Sequence, residues 1–80
     1  EFMYLNQAEE GKEYIVRNIN LPFETQRRLL ALGMTDRSPV FVVSKKGKGI
    51  LIVKLRGTRF AFGYNISKNI EVEDANANRQ

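Results

Sequence analysis

The sequence predicts an all-β-dominated (α+β) fold, a small closed or nearly closed β-barrel of about five strands with one short helix inserted after the first strand. Three observations predict it. From Pro39 onward the apolar residues recur with period 2, the repeat of a pleated strand. Glycine-bearing polar stretches cut that pattern at spacings suited to hairpins and tight loops. One segment alone reads clearly as helix, Arg27-Arg28-Leu29-Leu30-Ala31-Leu32-Gly33-Met34.

The elements follow in order. Glu1 and Phe2 precede Met3, which reads as an initiator, so residues 1–2 are expected to be a cloning remnant and the domain to span 3–73. Leu5 to Gly11 is a lead-in that ends in a turn at Glu9-Glu10-Gly11. Glu13 to Ile19 is the first strand, carried by Tyr14, Ile15, Val16 and Ile19. Asn20-Leu21-Pro22 breaks it, and Pro22 opens a helix to about Leu32, since an N–H missing from the first turn leaves no bond unmade.

At about 100° per residue, Leu32, Leu29, Leu30 and Phe23 share one broad arc and are expected in the core. Glu24, Arg27, Arg28 and Ala31 take the wet face, with Glu24 and Arg28 spaced as an i,i+4 pair. Each fully buried large side chain contributes roughly 1.5–3 kcal/mol, which outweighs helix propensity in so short a segment. Gly33 supplies a left-handed helix end, and Met34 folds back as its apolar contact.

Val40 to Val43 then form a strand buried at least in part on both faces, followed by the polar loop Lys45-Lys46-Gly47-Lys48-Gly49. Ile50 to Arg56 is the next strand, with Leu51, Val53 and Leu55 on one side. Gly57-Thr58 fits a two-residue hairpin turn, from which Arg59 to Phe62 returns antiparallel. Gly63 to Asn69 reads as a turn or single helical turn, and Ile70 with Val72 marks a last short strand. Asp74 to Gln80 has no periodicity and is expected to be a disordered tail.

Composition narrows the function classes. Eighty residues make one domain, burying roughly 65% of the unfolded surface and leaving little room for a deep active-site cavity. The chain has no cysteine and no histidine, which removes disulfides, thiolate sites, the commonest metal ligand and the commonest general base. No set of residues offers nucleophile, base and oxyanion donor together, so the chain is expected not to be an enzyme. No cofactor and no metal site are expected either. Glu9, Glu10 and Glu13 cluster in sequence, as do Glu71, Glu73 and Asp74, and both groups read as solvated edges. No apolar run approaches the ~20 residues of a membrane span and no signal-peptide pattern is present, so a cytoplasmic location is expected.

The net charge is +4, and small basic barrels bind RNA, so a nucleic-acid partner is one alternative. The excess charge is scattered over a helix face, a loop tip and a hairpin, however, and no stable nucleic-acid partner is expected. Lys45, Lys46 and Lys48 read as a solvated hairpin tip, without a nucleotide-binding Gly-Lys-Ser/Thr pattern. Phe60 and Phe62 lie on one side of their strand and read as core rather than as a base-stacking platform. The residues left for a protein partner are Arg27 and Arg28 on the helix, Arg56 and Arg59 opposed across the hairpin turn, and Tyr64 where the chain leaves its strand. Arginine suits bidentate contact with carboxylates, and tyrosine anchors interfaces.

Several of these features stand in a fixed order: Gly11 before a strand, Arg28-Leu29-x-x-Leu32-Gly33-Met34, a glycine-bearing loop, Leu55-Arg56-Gly57, Phe60-Ala61-Phe62 and Ile70-Glu71-Val72. That order resembles the FeoA-like family over about Leu5 to Val72. The resemblance implies an SH3-like barrel and a cytoplasmic accessory role in ferrous iron uptake, binding and modulating a FeoB-type membrane transporter. It implies a protein that is not itself membrane-inserted, with self-association left open. A family label of transition metal ion binding, and with it a metal-binding regulator, is a second alternative. Where the family usually has a glycine after the helix, this chain has Thr35-Asp36-Arg37-Ser38, so Asp36 or Arg37 must adopt that turn geometry, which aspartate tolerates better.

Overall fold

Six strands, one more than the sequence suggests, build the sheet of the computed structural model, which describes residues 2–76. The elements are β1 (Met3–Tyr4), a 3-10 turn (Leu5–Gln7), β2 (Glu13–Ile19), α1 (Phe23–Leu32), β3 (Pro39–Lys45), a 3-10 turn (Gly47–Gly49), β4 (Leu51–Leu55), β5 (Thr58–Phe62), α2 (Tyr64–Ser67) and β6 (Ile70–Asp74). All pairs are antiparallel, in the order β1-β6-β2-β3-β4-β5, so consecutive β2 to β5 form a meander and β6 returns beside β2. The extra strand lies just before the segment read as a lead-in: Met3 pairs with Val72 and Tyr4 with Glu71, while Leu5 and Ala8 of the lead-in are fully buried. Two residues are too few to show a period, and only the partner strand reveals them.

The core is the inward face of the sheet. Tyr14 and Val16 of β2, Val40 and Val42 of β3, Leu51, Val53 and Leu55 of β4, and Ile70 and Val72 of β6 are buried there, as strict alternation requires. Phe62 is buried and Phe60 packs against the core with its ring stacked on Phe62 at 6.3 Å, the expected structural role. In β3 Val40 and Val42 face the core, while on the other face Phe41 is 37% exposed and Val43 half-buried, so that face is covered only in part.

The helix departs furthest. Of its apolar residues only Leu29 is buried; Phe23 is 73% exposed, Leu30 57% and Leu32 40%. The predicted arc from Leu32 to Phe23 spans about 180° of the helix surface at ~100° per residue, too wide to bury against one rim of a small sheet. Only its centre, Leu29, reaches the core. Gly33 and Met34 behave as predicted: Gly33 is left-handed at φ 107°, its N–H donates to Leu30 O, and Met34 N–H donates to Leu29 O at 2.9 Å. Those two bonds are a Schellman cap, with buried Met34 as its apolar contact.

The β4–β5 turn is shifted by one residue from the sequence reading. Leu55 faces Thr58, so the turn residues are Arg56 and Gly57, both left-handed at φ 52° and 85°. Positive φ at both positions is the primed turn that matches strand twist. At the helix exit Arg37, not Asp36, takes the left-handed position, at φ 72°. Its N–H donates to Val16 O at 2.6 Å, a bond that fixes the backbone where side-chain preference alone would favour aspartate.

Asp74, assigned by sequence to the tail, ends β6, and Ala75 N–H donates to Glu13 O. Lys12 Nζ meets Asp74 Oδ2 at 2.7 Å, which raises the Lys12 pKa and lowers that of Asp74 through the mutual hydrogen bond. Residues 77–80 of the expected tail, and Glu1 of the expected remnant, lie outside the described residues.

Candidate functional site

The helix sits on the barrel as a strut held by polar contacts as much as by burial. The Gln26 side-chain amide donates to Ile19 O at 3.0 Å and to Leu21 O at 2.8 Å, tying the first turn of α1 to the end of β2. At the other end Ser38, buried, accepts from Thr35 N–H at 2.7 Å and donates to Gly33 O at 3.2 Å. With both ends fixed, the outward stripe of the helix is presented rigidly. Phe23, Arg27 and Leu30 follow one another at i, i+4 and i+7 along that stripe, and the Arg27 guanidinium lies 5.8 Å from the Phe23 ring centroid.

Beside the stripe runs a shallow groove of about 270 Å3, with Ile19, Phe23, Leu30 and Met34 as its apolar walls and Arg27 and Asp36 on its rims. Its lining, exposed aromatic and aliphatic groups with a guanidinium between them, has the chemistry of a contact surface. Glu24 and Arg28 form no ion pair, the one ion pair among the described residues being Lys12–Asp74. Arg28 therefore keeps its charge available on the exposed face.

Of the five residues singled out by sequence, three lie on or against α1, and Arg27 alone of them lines the groove. Arg27 and Arg28 are exposed on α1, and Arg56 reaches the same helix from the hairpin: a Cβ built on Gly33 would fall 2.2 Å from Arg56 Cδ, so the side chain lies across the helix end. No basic residue of α1 lies in its last turn, and Arg56 supplies the cation that the helix C-terminus favours. Arg56 and Arg59 are not opposed as expected. The shifted turn places Arg59 opposite Lys54, which in turn faces Phe41, on the outer face of the sheet. Tyr64 stands apart too, against Gly49 and beneath the Lys68 ammonium at 5.2 Å from its ring.

Phe23 and Leu30 are the residues of this surface that sequence reasoning assigned to the core. The available signal was the width of the arc, together with Gln26 lying inside it. A polar residue in the middle of a supposed core stripe marks its limit. Among the described residues no three His, Cys, Asp or Glu side chains group to hold a metal ion. Glu10 accepts from Lys45 N–H and Asp74 pairs with Lys12, so two of the acidic groups have partners of their own. No helix of the described residues is long and apolar enough to cross a membrane.

A six-stranded antiparallel sheet with one short helix after β2 defines a small SH3-like barrel module. The chain belongs to the FeoA domain family, whose model matches residues 3–74. It is 32% identical over 68 residues to a Methanocaldococcus jannaschii protein that carries the name Fe(2+) transport protein A, covering 85% of this chain and 82% of that one. The fold is similar to the crystal structure of an iron uptake regulatory protein (FeoA), with TM-score 0.80, 25% identity, and coverage of 91% and 96%. It is similar also to the solution structure of FeoA from Chlorobium tepidum, with TM-score 0.84, 22% identity, and coverage of 91% and 70%. The family is associated with Fe(2+) transport.

Proposed function

We propose that this chain is a cytoplasmic, non-enzymatic adaptor of ferrous iron uptake that binds the cytoplasmic part of a FeoB-type membrane transporter and modulates it. The observation that carries the reading is the outward stripe Phe23–Arg27–Leu30, where two large apolar side chains stand exposed on a helix fixed at both ends. Exposed aromatic and arginine anchors beside a groove are the features from which interfaces draw most of their energy. Arg28 and Arg56 extend the cationic margin, so the surface fits an apolar anchor flanked by carboxylates.

Titration of the labelled chain with the cytoplasmic part of the transporter, with and without guanine nucleotide, tests it. Amide shifts centred on Phe23, Arg27 and Leu30 are expected. Absence of binding at high micromolar concentration in both nucleotide conditions would sink the direct-adaptor form of the reading. The nucleic-acid alternative is disfavoured by the placement of Phe60 and Phe62 against the core, which leaves no aromatic platform on that strand for bases.

A further inference from the structure

We infer that the loop Lys45–Gly49 and the neighbouring helix α2 form a peripheral contact for an anionic lipid surface. This proposal stands on different residues from the helix stripe and goes beyond the adaptor reading. All six residues from Lys45 to Ile50 are exposed, and a Cβ on Gly47 would meet nothing within 4 Å, so the tip stands clear of the barrel. Its backbone is set, with Lys46 N–H donating to Ile50 O at 2.7 Å and Lys48 and Gly49 both left-handed.

The tip is joined to α2 by close packing. A Cβ on Gly49 would fall 2.9 Å from Tyr64 Cβ, so glycine lets the tyrosine lie against the loop. Lys68, one turn further along, holds its ammonium 5.2 Å from the Tyr64 ring. The loop lysines Lys45, Lys46 and Lys48 and the α2 lysine Lys68 thus belong to one joined, exposed segment with Tyr64, 48% exposed, and Ile50, 37% exposed. Neither residues 45–50 nor residues 63–69 include an acidic residue. One acid, Glu10, reaches this loop, its carboxylate accepting from the Lys45 backbone N–H, and the four lysines outnumber it.

The chemistry selects the partner. Lysines are point charges on flexible stems, suited to a fluid array of headgroup phosphates, whereas fixed bidentate sites favour arginine. Tyrosine with an adjacent aliphatic group suits a boundary that is apolar on one side and wet on the other. A single exposed tyrosine is a poor platform for successive bases of a nucleic acid.

Sedimentation of the purified chain with phosphatidylcholine vesicles, with and without phosphatidylglycerol, tests the inference. Binding is expected only to the anionic vesicles and is expected to weaken as salt rises. Each lysine near such a surface contributes about fivefold to partitioning, so Lys46→Glu/Lys68→Glu is expected to weaken binding by at least about 25-fold. Lys54→Glu/Arg59→Glu removes the same charge from the outer sheet face and is expected to retain binding. Equal loss in both double variants would reduce the effect to net charge and overturn the site. So would no preference for anionic vesicles, or lysine-dependent binding to RNA in place of vesicles. None of these outcomes bears on Phe23 or Leu30, so the adaptor reading stands or falls separately.

Discussion

The Arg56 side chain lies across Gly33, so the turn between β4 and β5 covers the end of α1, and the absent Cβ of Gly33 makes room for it. Gly33 is therefore constrained twice, by its φ of 107° and by this contact. Gly33→Ala is expected to cost roughly 1–2 kcal/mol from the left-handed backbone, plus a smaller amount for displacing Arg56. In an Arg56→Ala background only the backbone part remains. Urea denaturation of the four proteins of the cycle measures the difference as a coupling energy, and a zero coupling would contradict the contact.

Two adjacent leucines are expected to behave in opposite ways. Leu29, at 5% exposure, fills the core, and Leu29→Ala is expected to destabilise the fold by about 2–5 kcal/mol. Leu30, at 57%, is on the outward stripe, and Leu30→Ala is expected to change stability by no more than about 0.5 kcal/mol while weakening binding to the transporter. Thermal melts and the titration described above separate the two effects.

Arg37 holds a left-handed backbone without a glycine's freedom. Arg37→Gly is expected to stabilise the fold by about 0.5 kcal/mol, the relief of backbone strain outweighing the extra entropy of the unfolded chain. A lower melting temperature for Arg37→Gly would mean that the Arg37 side chain contributes more than its backbone costs.

The pair Lys12–Asp74 makes a pH-dependent contribution with limits on both sides. The lowered pKa of Asp74 means that its contribution is complete above the usual carboxylate range and is lost as pH falls through the depressed value. The raised pKa of Lys12 means that its contribution is complete below the usual lysine range and is lost as pH rises through the elevated value. The melting temperature of Asp74→Asn is expected to lie slightly below that of the parent across the neutral plateau and to meet it at the acid end. The gap is expected to shrink in high salt, since both side chains keep contact with solvent.

Legibility in the sequence followed the length and regularity of each element. β2, β4 and β6 alternate over five to seven residues and were readable, as was the Gly33–Met34 cap, because each depends on neighbours in the chain. β1 was not readable: two residues carry no period, and Met3 and Tyr4 become a strand only beside Val72 and Glu71. The sequence locates the hairpin but puts its turn one residue late. Gly57 marks a left-handed position, yet only the Leu55–Thr58 register shows that Arg56 occupies the other one. Arg59 accordingly faces Lys54 and not Arg56.

By itself the sequence determined the barrel with its inserted helix, the family, and the exposure of Arg27 and Arg28 on that helix, because periodicity, caps and turn residues act over a few neighbouring positions. Tertiary structure alone decided which part of the helix is core. The sheet rim reaches only the middle of the apolar arc, at Leu29, and leaves Phe23 and Leu30 outside. It also decided that Arg56 joins the helix while Arg59 and Tyr64 do not, since strand register and loop packing, not spacing along the chain, set those distances.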